Sequence, residues 1–516
     1  MSMKINRRNF LKLSSLVSLA TPWIGASNPI GQSYKTSPEK PNILIVIFDA
    51  LSALDVSLYG YHRATMPNLA RFAERATVYH NHYSAGNFTT AGTASILTGT
   101  YPWTHRAIHI FGTVLDAFKS RNAYSAFGQY GYTRVGFSHN ILVNVLLHQF
   151  IDQIDEYTPP HDVALVDFDI SDDLFASDFG IAYQSELRYF MNPTPPSNSI
   201  YLHRIHSALR ALIGKIMGDR LKKSFPRCIP GNQDMFTPLE DTVDWIMKKL
   251  LQWPQPFISY LHMMPPHDPY CPRADFVDIF WDDWKPIEKP DHFFSKHNED
   301  PDLINIKRVF YDEYIAYVDA EFGRLHDFMV ENGLYENTIV IFSSDHGEMF
   351  ERRIWGHFGP TLFEPVIRVP LLISLPQQTT RHDVHIPTNS VDILPTLLHL
   401  IKHPIPDWTE GLILPPFTNE SLASERSLFA IEARSNPKTG PLRKATVAMI
   451  KGRYKLIHYR GYEGFDDQYE LYDLEEDPEE LQDLYAIREE IAAVMRQELL
   501  AAIEEKDHPF SILEQE

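Results

Sequence analysis

Residues 42–49 read NILIVIFD, and this run settles the architecture. Six consecutive apolar residues, Ile43–Phe48, stand between polar Asn42 and Asp49. A short, unbroken apolar run of this kind fits a strand buried on both faces, as in a parallel sheet. Similar runs recur as TIVIF (Thr338–Phe342), PFISYLH (Pro256–His262) and VPLLISL (Val369–Leu375). Helix-period segments lie between them. In DEYIAYVDAEFGRLHDFMVENG, residues Ile315, Val318, Phe322, Leu325 and Met329 recur at three- and four-residue steps, and Gly333 supplies a stop. VDILPTLLHLI, from Val391, is a second such segment. Alternating buried strands and helices predict an α/β fold with a mostly parallel sheet.

The whole chain has 516 residues, 44% of them hydrophobic and 22% charged, enough apolar material for a large core. That length predicts two or more domains, or one large α/β domain with an appendage. A formal net charge of −20 argues against nucleic acid as a partner, because phosphate backbones are held by clustered Lys and Arg. An anionic substrate would have to be attracted locally, by a metal or a few cations. Cys228 and Cys271 are the two cysteines; they suffice for one disulfide and decide nothing about compartment.

The N-terminus reads MSMKINRRNFLKLSSLVSLATPWIGASNP. Its basic head, with Arg7 and Arg8, is followed by a weakly apolar, Ser-rich run ending near Ile24 that is too short to span a bilayer. Residues 1–27 are therefore read as a signal segment and 28–40 as a linker. The RRNFLK pattern resembles a twin-arginine signal, which implies the twin-arginine export machinery as a partner and a periplasmic or extracellular destination. Export after folding suits an enzyme that loads a metal first. No second run qualifies as a transmembrane helix, so no anchor is expected after signal removal.

Residues 41–414 are expected to form the catalytic domain, interrupted by an insertion at 150–240. Within the insertion, an acidic loop-like stretch (162–173) precedes the basic amphipathic run LHRIHSALRALIGKIMGDRLKK. That run reads as a helix packed on the main domain with a solvated basic face, a membrane- or partner-binding helix being the alternative. Beyond 415 the texture changes. KATVAMIKGRYKLIHYR alternates like paired strands, QYELYDLEEDPEEL reads as a strand and turn, and the last thirty residues read as one helix. Residues 415–516 are thus a small α+β subdomain.

Open parallel sheets collect ligands beyond the carboxyl ends of their strands. Two buried strands deliver acids there: NILIVIF runs into Asp49, and TIVIF runs through Ser343 and Ser344 into Asp345 and His346. Upstream, NHYSAGNFTTAGTASILTG places Thr89 and Thr90 just before a helix-like run. Two carboxylates, an imidazole and a threonine hydroxyl would make a compact, oxygen-rich metal site with open positions.

PNILIVIFDAL, YSAGNFTTAGTASILTGTYP, GYTRVGFSHN, YLHMMPPHDPY, TIVIFSSDHGE, FEPVIRVPLLI, VDILPTLLHL and GRYKLI with ELYDLEEDPEEL follow one another in this order. Together they resemble the sulfatase family of the alkaline phosphatase superfamily, from about residue 41 to 490, most weakly over 150–240. The resemblance implies an alkaline-phosphatase-like sandwich. Counting back from LTG, Thr89 falls where sulfatases carry the cysteine that becomes formylglycine, so Thr89 is the implied nucleophile. Asp49, Asp345 and His346 match metal ligands, with Thr89 completing the set around one divalent ion. His267 of PPHDPY matches the histidine that contacts the ester oxygen and protonates a leaving group; His357 of WGHFGPTLFE and His139 of GFSHN match anion-contacting positions.

The departures are informative. Ala50 stands where sulfatases usually have a second Asp, and His346 where they have Asn. An Asp-Thr-Asp-His set resembles the mononuclear, threonine-using branch that includes phosphonate- and phosphodiester-cleaving enzymes and lipoteichoic acid synthases. Its lower charge and softer donors favour Mn2+ or Zn2+ and still allow Mg2+ or Ca2+. Thr93 and Phe137 replace an expected Arg and Lys, leaving fewer fixed cations against a developing oxyanion. The expectation is a metal-dependent hydrolase of small anionic esters, of phosphorus ahead of sulfur. The alternatives are a transferase moving a phospho-group from a phospholipid-type donor, and a non-catalytic anion-binding protein of the same fold.

Overall fold

The computed structural model describes residues 40–163, 216, 221–232, 235–295, 300–418, 425–465 and 467–513. The expected signal segment, nearly all of the linker, and most of the acidic and basic stretches of the insertion lie outside the described residues.

The central sheet has eight strands, in chain order β1 (Asn42–Asp49), β2 (Thr77–Tyr79), β3 (Thr133–Ser138), β4 (Glu156–Thr158), β5 (Phe257–Pro266), β6 (Thr338–Ser343), β7 (Leu371–Ser374) and β8 (His382–Val384). Across the sheet they run β8-β2-β7-β6-β1-β5-β3-β4. All neighbouring pairs are parallel except those made by β7, which lies antiparallel between β2 and β6. VPLLISL was expected to be one more strand of the parallel set. Its apolar run is the same in either direction, because burial on both faces, not orientation, dictates it.

The alternation of strand side chains explains why β1 is apolar throughout. Leu44, Val46 and Phe48 enter one core, and Ile43, Ile45 and Ile47 enter the other. The first core is closed by the helices Leu239–Leu250 and Pro301–Glu331. The five periodic residues of the latter, Ile315 to Met329, are all buried there, and Gly333 follows with a left-handed φ of 64°. The second core is closed by the helices Thr89–Thr98, Ile141–Gln149 and Ile393–Leu400. The result is a mostly parallel sheet with helices on both faces.

The C-terminal part forms a four-stranded antiparallel sheet, Leu428–Glu432, Ala445–Lys451, Tyr454–Arg460 and Gln468–Asp473, covered by the helix Glu489–Leu513. Cys228 and Cys271 form a disulfide with their Cα atoms 5.0 Å apart, tying the far end of the insertion to the segment after β5. Among the described residues, no helix is long and apolar enough to cross a membrane.

Candidate active site

The adjacent strands β6, β1, β5 and β3 open at one edge of the sheet, and each delivers a polar side chain there. Asp49 is the last residue of β1. The chain then turns through Ala50, whose φ of 58° is left-handed, and the Ala50 amide donates to Asp345 Oδ1 at 3.3 Å. Asp345 and His346 follow β6 after Ser344. His262 lies on β5, opposite Ile47 of β1, and Asn140 follows β3, whose Ser138 pairs with His262.

Thr89 is the first residue of a ten-residue helix that is buried along its whole length. Phe88 is the N-cap residue, so Thr89 stands at the first helical position. Its Oγ1 lies 3.3 Å from His346 Nε2 and 3.4 Å from Asn140 Nδ2. Thr90 Oγ1, by contrast, is buried with no hydrogen-bond partner. The helix reaches the acids because residue 92 is glycine. A Cβ there would sit 2.2 Å from the Asp345 carbonyl oxygen, so any larger residue would push the helix and Thr89 away.

Asp49, Thr89, Asp345, His346 and His262 are all fully buried or nearly so. His346 Nε2 lies 3.3 Å from Asp49 Oδ1 and 3.7 Å from Asp345 Oδ2. His262 Nε2 lies 3.1 Å from Asp49 Oδ2 and 3.9 Å from Asp345 Oδ2. Asn140 Nδ2 donates to Asp49 Oδ2 at 2.5 Å. Burial and the neighbouring charge of Asp49 raise the Asp345 carboxyl above the ordinary carboxylate value. Burial also opposes charge on Asp49, but the imidazoles of His267, His262 and His346 together hold its carboxyl well below that value. Burial opposes a charged His346 too, and Asp345 and Asp49 overcome it, lifting the imidazole to about 9. Two buried carboxylates thus draw positive charge to themselves, here from the neighbouring imidazoles.

Whether these residues fit a metal can be tested on their free valences. Asp49 Oδ1 and Asp345 Oδ2 are buried and without a hydrogen-bond partner, the condition expected of atoms reserved for an ion. One ligand atom from each of Asp49, His262 and Asp345 lies within 4.8 Å of the others. Carboxylate oxygens and imidazole nitrogens are the donors that Zn2+ and Mn2+ accept. The residues fit a divalent cation.

The three remaining histidines have different positions. His357 is buried, its Nδ1 lies 3.0 Å from Glu348 Oε1, and its Nε2 has no partner. Burial, and then the adjoining imidazoles of His346 and His267, hold His357 well below the usual imidazole value; burial pushes the Glu348 carboxyl up to about 8. His267 is half-buried, with Nδ1 2.6 Å from the Asp268 carbonyl and its ring 4.9 Å from that of His357 and 6.3 Å from that of His346. His139 is not brought into the cluster. Its Nε2 is 2.8 Å from Thr242 Oγ1 and its ring packs on Phe137. The next residue, Asn140, reaches Asp49 instead, because it caps the following helix and its Oδ1 accepts from the Leu142 amide at 2.8 Å. At the two positions lacking expected cations, Thr93 meets the Tyr260 hydroxyl at 3.3 Å and Phe137 packs against Trp245.

Residues 41–403 match the sulfatase family across most of the chain. The chain belongs to the sulfatase family. It is accordingly an ester-hydrolysing enzyme. Residues 353–506 also match the C-terminal region of N-sulphoglucosamine sulphohydrolase. A choline-sulfatase of Rhizobium meliloti (strain 1021) is 25% identical over 477 residues, 86% of this chain and 82% of that relative. The phosphonate monoester hydrolase of Agrobacterium radiobacter shares the fold with a TM-score of 0.66, covering 90% of this chain and 96% of the other at 18% identity. That of Silicibacter pomeroyi does so with a TM-score of 0.64, covering 91% and 96% at 19% identity. The expected alkaline-phosphatase-like architecture is thus found, with a flanked, mostly parallel sheet and a C-terminal appendage.

Proposed function

We propose that this sulfatase-family enzyme is an exported, metal-dependent hydrolase of phosphate or phosphonate esters, with Thr89 as its nucleophile. The observation that carries the reading is the Thr89 hydroxyl, buried at a helix N-terminus and within 3.4 Å of both His346 and Asn140. Asp49, Asp345, His346 and Thr89 would hold the cation. Once bound, it would offset the charge of an attacking alkoxide and of the ester oxygens. The helix N-terminus adds partial positive charge at Thr89.

In the proposed first step Thr89 Oγ gives up its proton to solvent and forms a bond to phosphorus, and the ester oxygen leaves with its electron pair. His267 supplies that oxygen with a proton; the Nδ1 bond to Asp268 orients its ring. Water then attacks the phospho-threonine and gives a proton back to His267, the P–Oγ bond breaks with its electron pair on oxygen, and Thr89 takes its proton from solvent. His357, set by Glu348 and with its ring 4.2 Å from that of His346, would hold a non-bridging oxygen through its unpartnered Nε2. Threonine attack on phosphorus leaves an intermediate that water can resolve, whereas a sulfo-threonine would be hard to hydrolyse. The missing cations at Thr93 and Phe137 point the same way. The choline-sulfatase relative supports sulfate esters as the second reading.

Metal-loaded protein assayed against an aryl sulfate, a phosphate monoester, a phosphate diester and a phosphonate monoester should favour a phosphorus ester by at least about 100-fold in kcat/KM, roughly 2.7 kcal/mol of transition-state discrimination. A preference for the aryl sulfate would reject the phosphorus assignment. Export rests on Arg7 and Arg8 of the RRNFLK signal, with the Cys228–Cys271 disulfide in support, since such bonds persist outside the reducing cytoplasm. The double variant Arg7→Lys, Arg8→Lys should accumulate in the cytoplasmic fraction; unchanged export would reject the twin-arginine route.

A further inference from the structure

Resting on the single-cation reading above, we infer that His262 is a further ligand of that cation, making a donor set of two carboxylates, two imidazoles and the Thr89 hydroxyl. The chain has no carboxylate at position 50, directly after Asp49, because that residue is alanine. The neighbouring strand supplies a donor instead. Parallel pairing sets His262 of β5 opposite Ile47, two residues before Asp49, and aims its fully buried ring at the acids.

The tautomer follows from a hydrogen-bond chain. The Tyr260 hydroxyl donates to Thr93 Oγ1 at 3.3 Å, so it can accept the Nδ1 proton of His262, 3.1 Å away. That leaves the Nε2 lone pair facing Asp49 and Asp345, at 3.1 and 3.9 Å. Metal-bound histidines characteristically pass their other N–H to such an acceptor, which fixes ring orientation. The competing role is an Nε2–H that merely orients Asp49. Asp49, however, is already oriented by the Asn140 amide at 2.5 Å, while Asp345 Oδ2, 3.9 Å from His262 Nε2, is buried with no hydrogen-bond partner. His346 approaches the same pair of acids from Asp49 Oδ1 and His262 from Oδ2, so the two imidazoles bracket the carboxylates.

The test counts imidazoles directly. Cu2+ bound in place of the native ion reports coordinated imidazole nitrogens by pulsed electron paramagnetic resonance. Two are expected in the parent protein, one in His262→Gln and one in His346→Gln. A single imidazole in the parent, falling to none in His346→Gln, would overturn the inference and leave the proposed function standing. The His346→Gln result decides the matter even where His262→Gln does not fold. Absence of any stoichiometric Cu2+ would overturn both readings. A second readout is Zn2+ affinity, expected to fall at least about 10-fold in His262→Gln as one nitrogen donor is lost; unchanged Zn2+ affinity would count against ligation.

Discussion

Thr89→Ala is expected to lower kcat by at least about 10^4-fold while the protein keeps its circular dichroism spectrum and melting cooperativity. The loss is large because the attacking oxygen itself is removed. Thr90 carries the next hydroxyl along the chain, and its Oγ1 is buried without a partner instead of touching His346 or Asn140. Thr90→Ala is accordingly expected to change kcat by less than about 5-fold, equivalent to roughly 1 kcal/mol at the barrier. Thr89→Ser restores an attacking oxygen and should recover most of the activity. Rapid quenching followed by peptide mass analysis should find the phospho-group on Thr89 in the parent and nowhere in Thr89→Ala. Equal kcat for the parent and Thr89→Ala, or an adduct on Thr90, would remove Thr89 from the mechanism.

Asp345→Asn is expected to abolish metal-dependent activity and at the same time to stabilise the metal-free protein. Asp345 Oδ1 accepts from the amides of Ala50 and His346, at 3.3 and 3.0 Å, and an asparagine oxygen can keep both bonds. The Oδ2 position has no partner, and an amide group there would face the cation. Burial and Asp49 already raise the Asp345 carboxyl, so its negative charge costs folding free energy when no ion is present. Removing that charge should bring the metal-free melting temperature to or above that of the metal-free parent. The parent should gain about 4 kcal/mol from a cation at 1,000 times its dissociation constant, and the variant should gain almost none. Thermal melts with and without Zn2+ or Mn2+ separate the two effects. A variant that melts lower without metal, yet still responds to metal like the parent, would show that Asp345 is structural and not a ligand.

These two substitutions act on residues that were recognisable from the chain alone, and the contrast with the others is physical. Asp49 and Asp345 stand at the ends of apolar runs, and a run buried on both faces can only stop where the chain reaches the edge of the sheet. The residues themselves placed both Thr89 and Thr90 before a helix, and the resemblance to sulfatases, counted back from LTG, singled out Thr89. His262 carried no such mark, because it sits within the buried strand run PFISYLH like any core residue. Its neighbour across the sheet, Ile47, is far away in sequence, and only strand pairing brings the two together. Asn140 was overshadowed by His139 in the same block. Which of two adjacent side chains turns towards Asp49 depends on the helix that Asn140 caps.

Local residue patterns were sufficient for a buried sheet, for the two acids at its edge and for a pair of threonines at a helix start, since burial and helix starts are governed by near neighbours. The pairing of β7 with β2, the approach of His262 to Asp49 and the near-contact of Gly92 with Asp345 depend on contacts across hundreds of residues. No short-range preference encodes those pairings. They arise when strand register and helix packing are satisfied together.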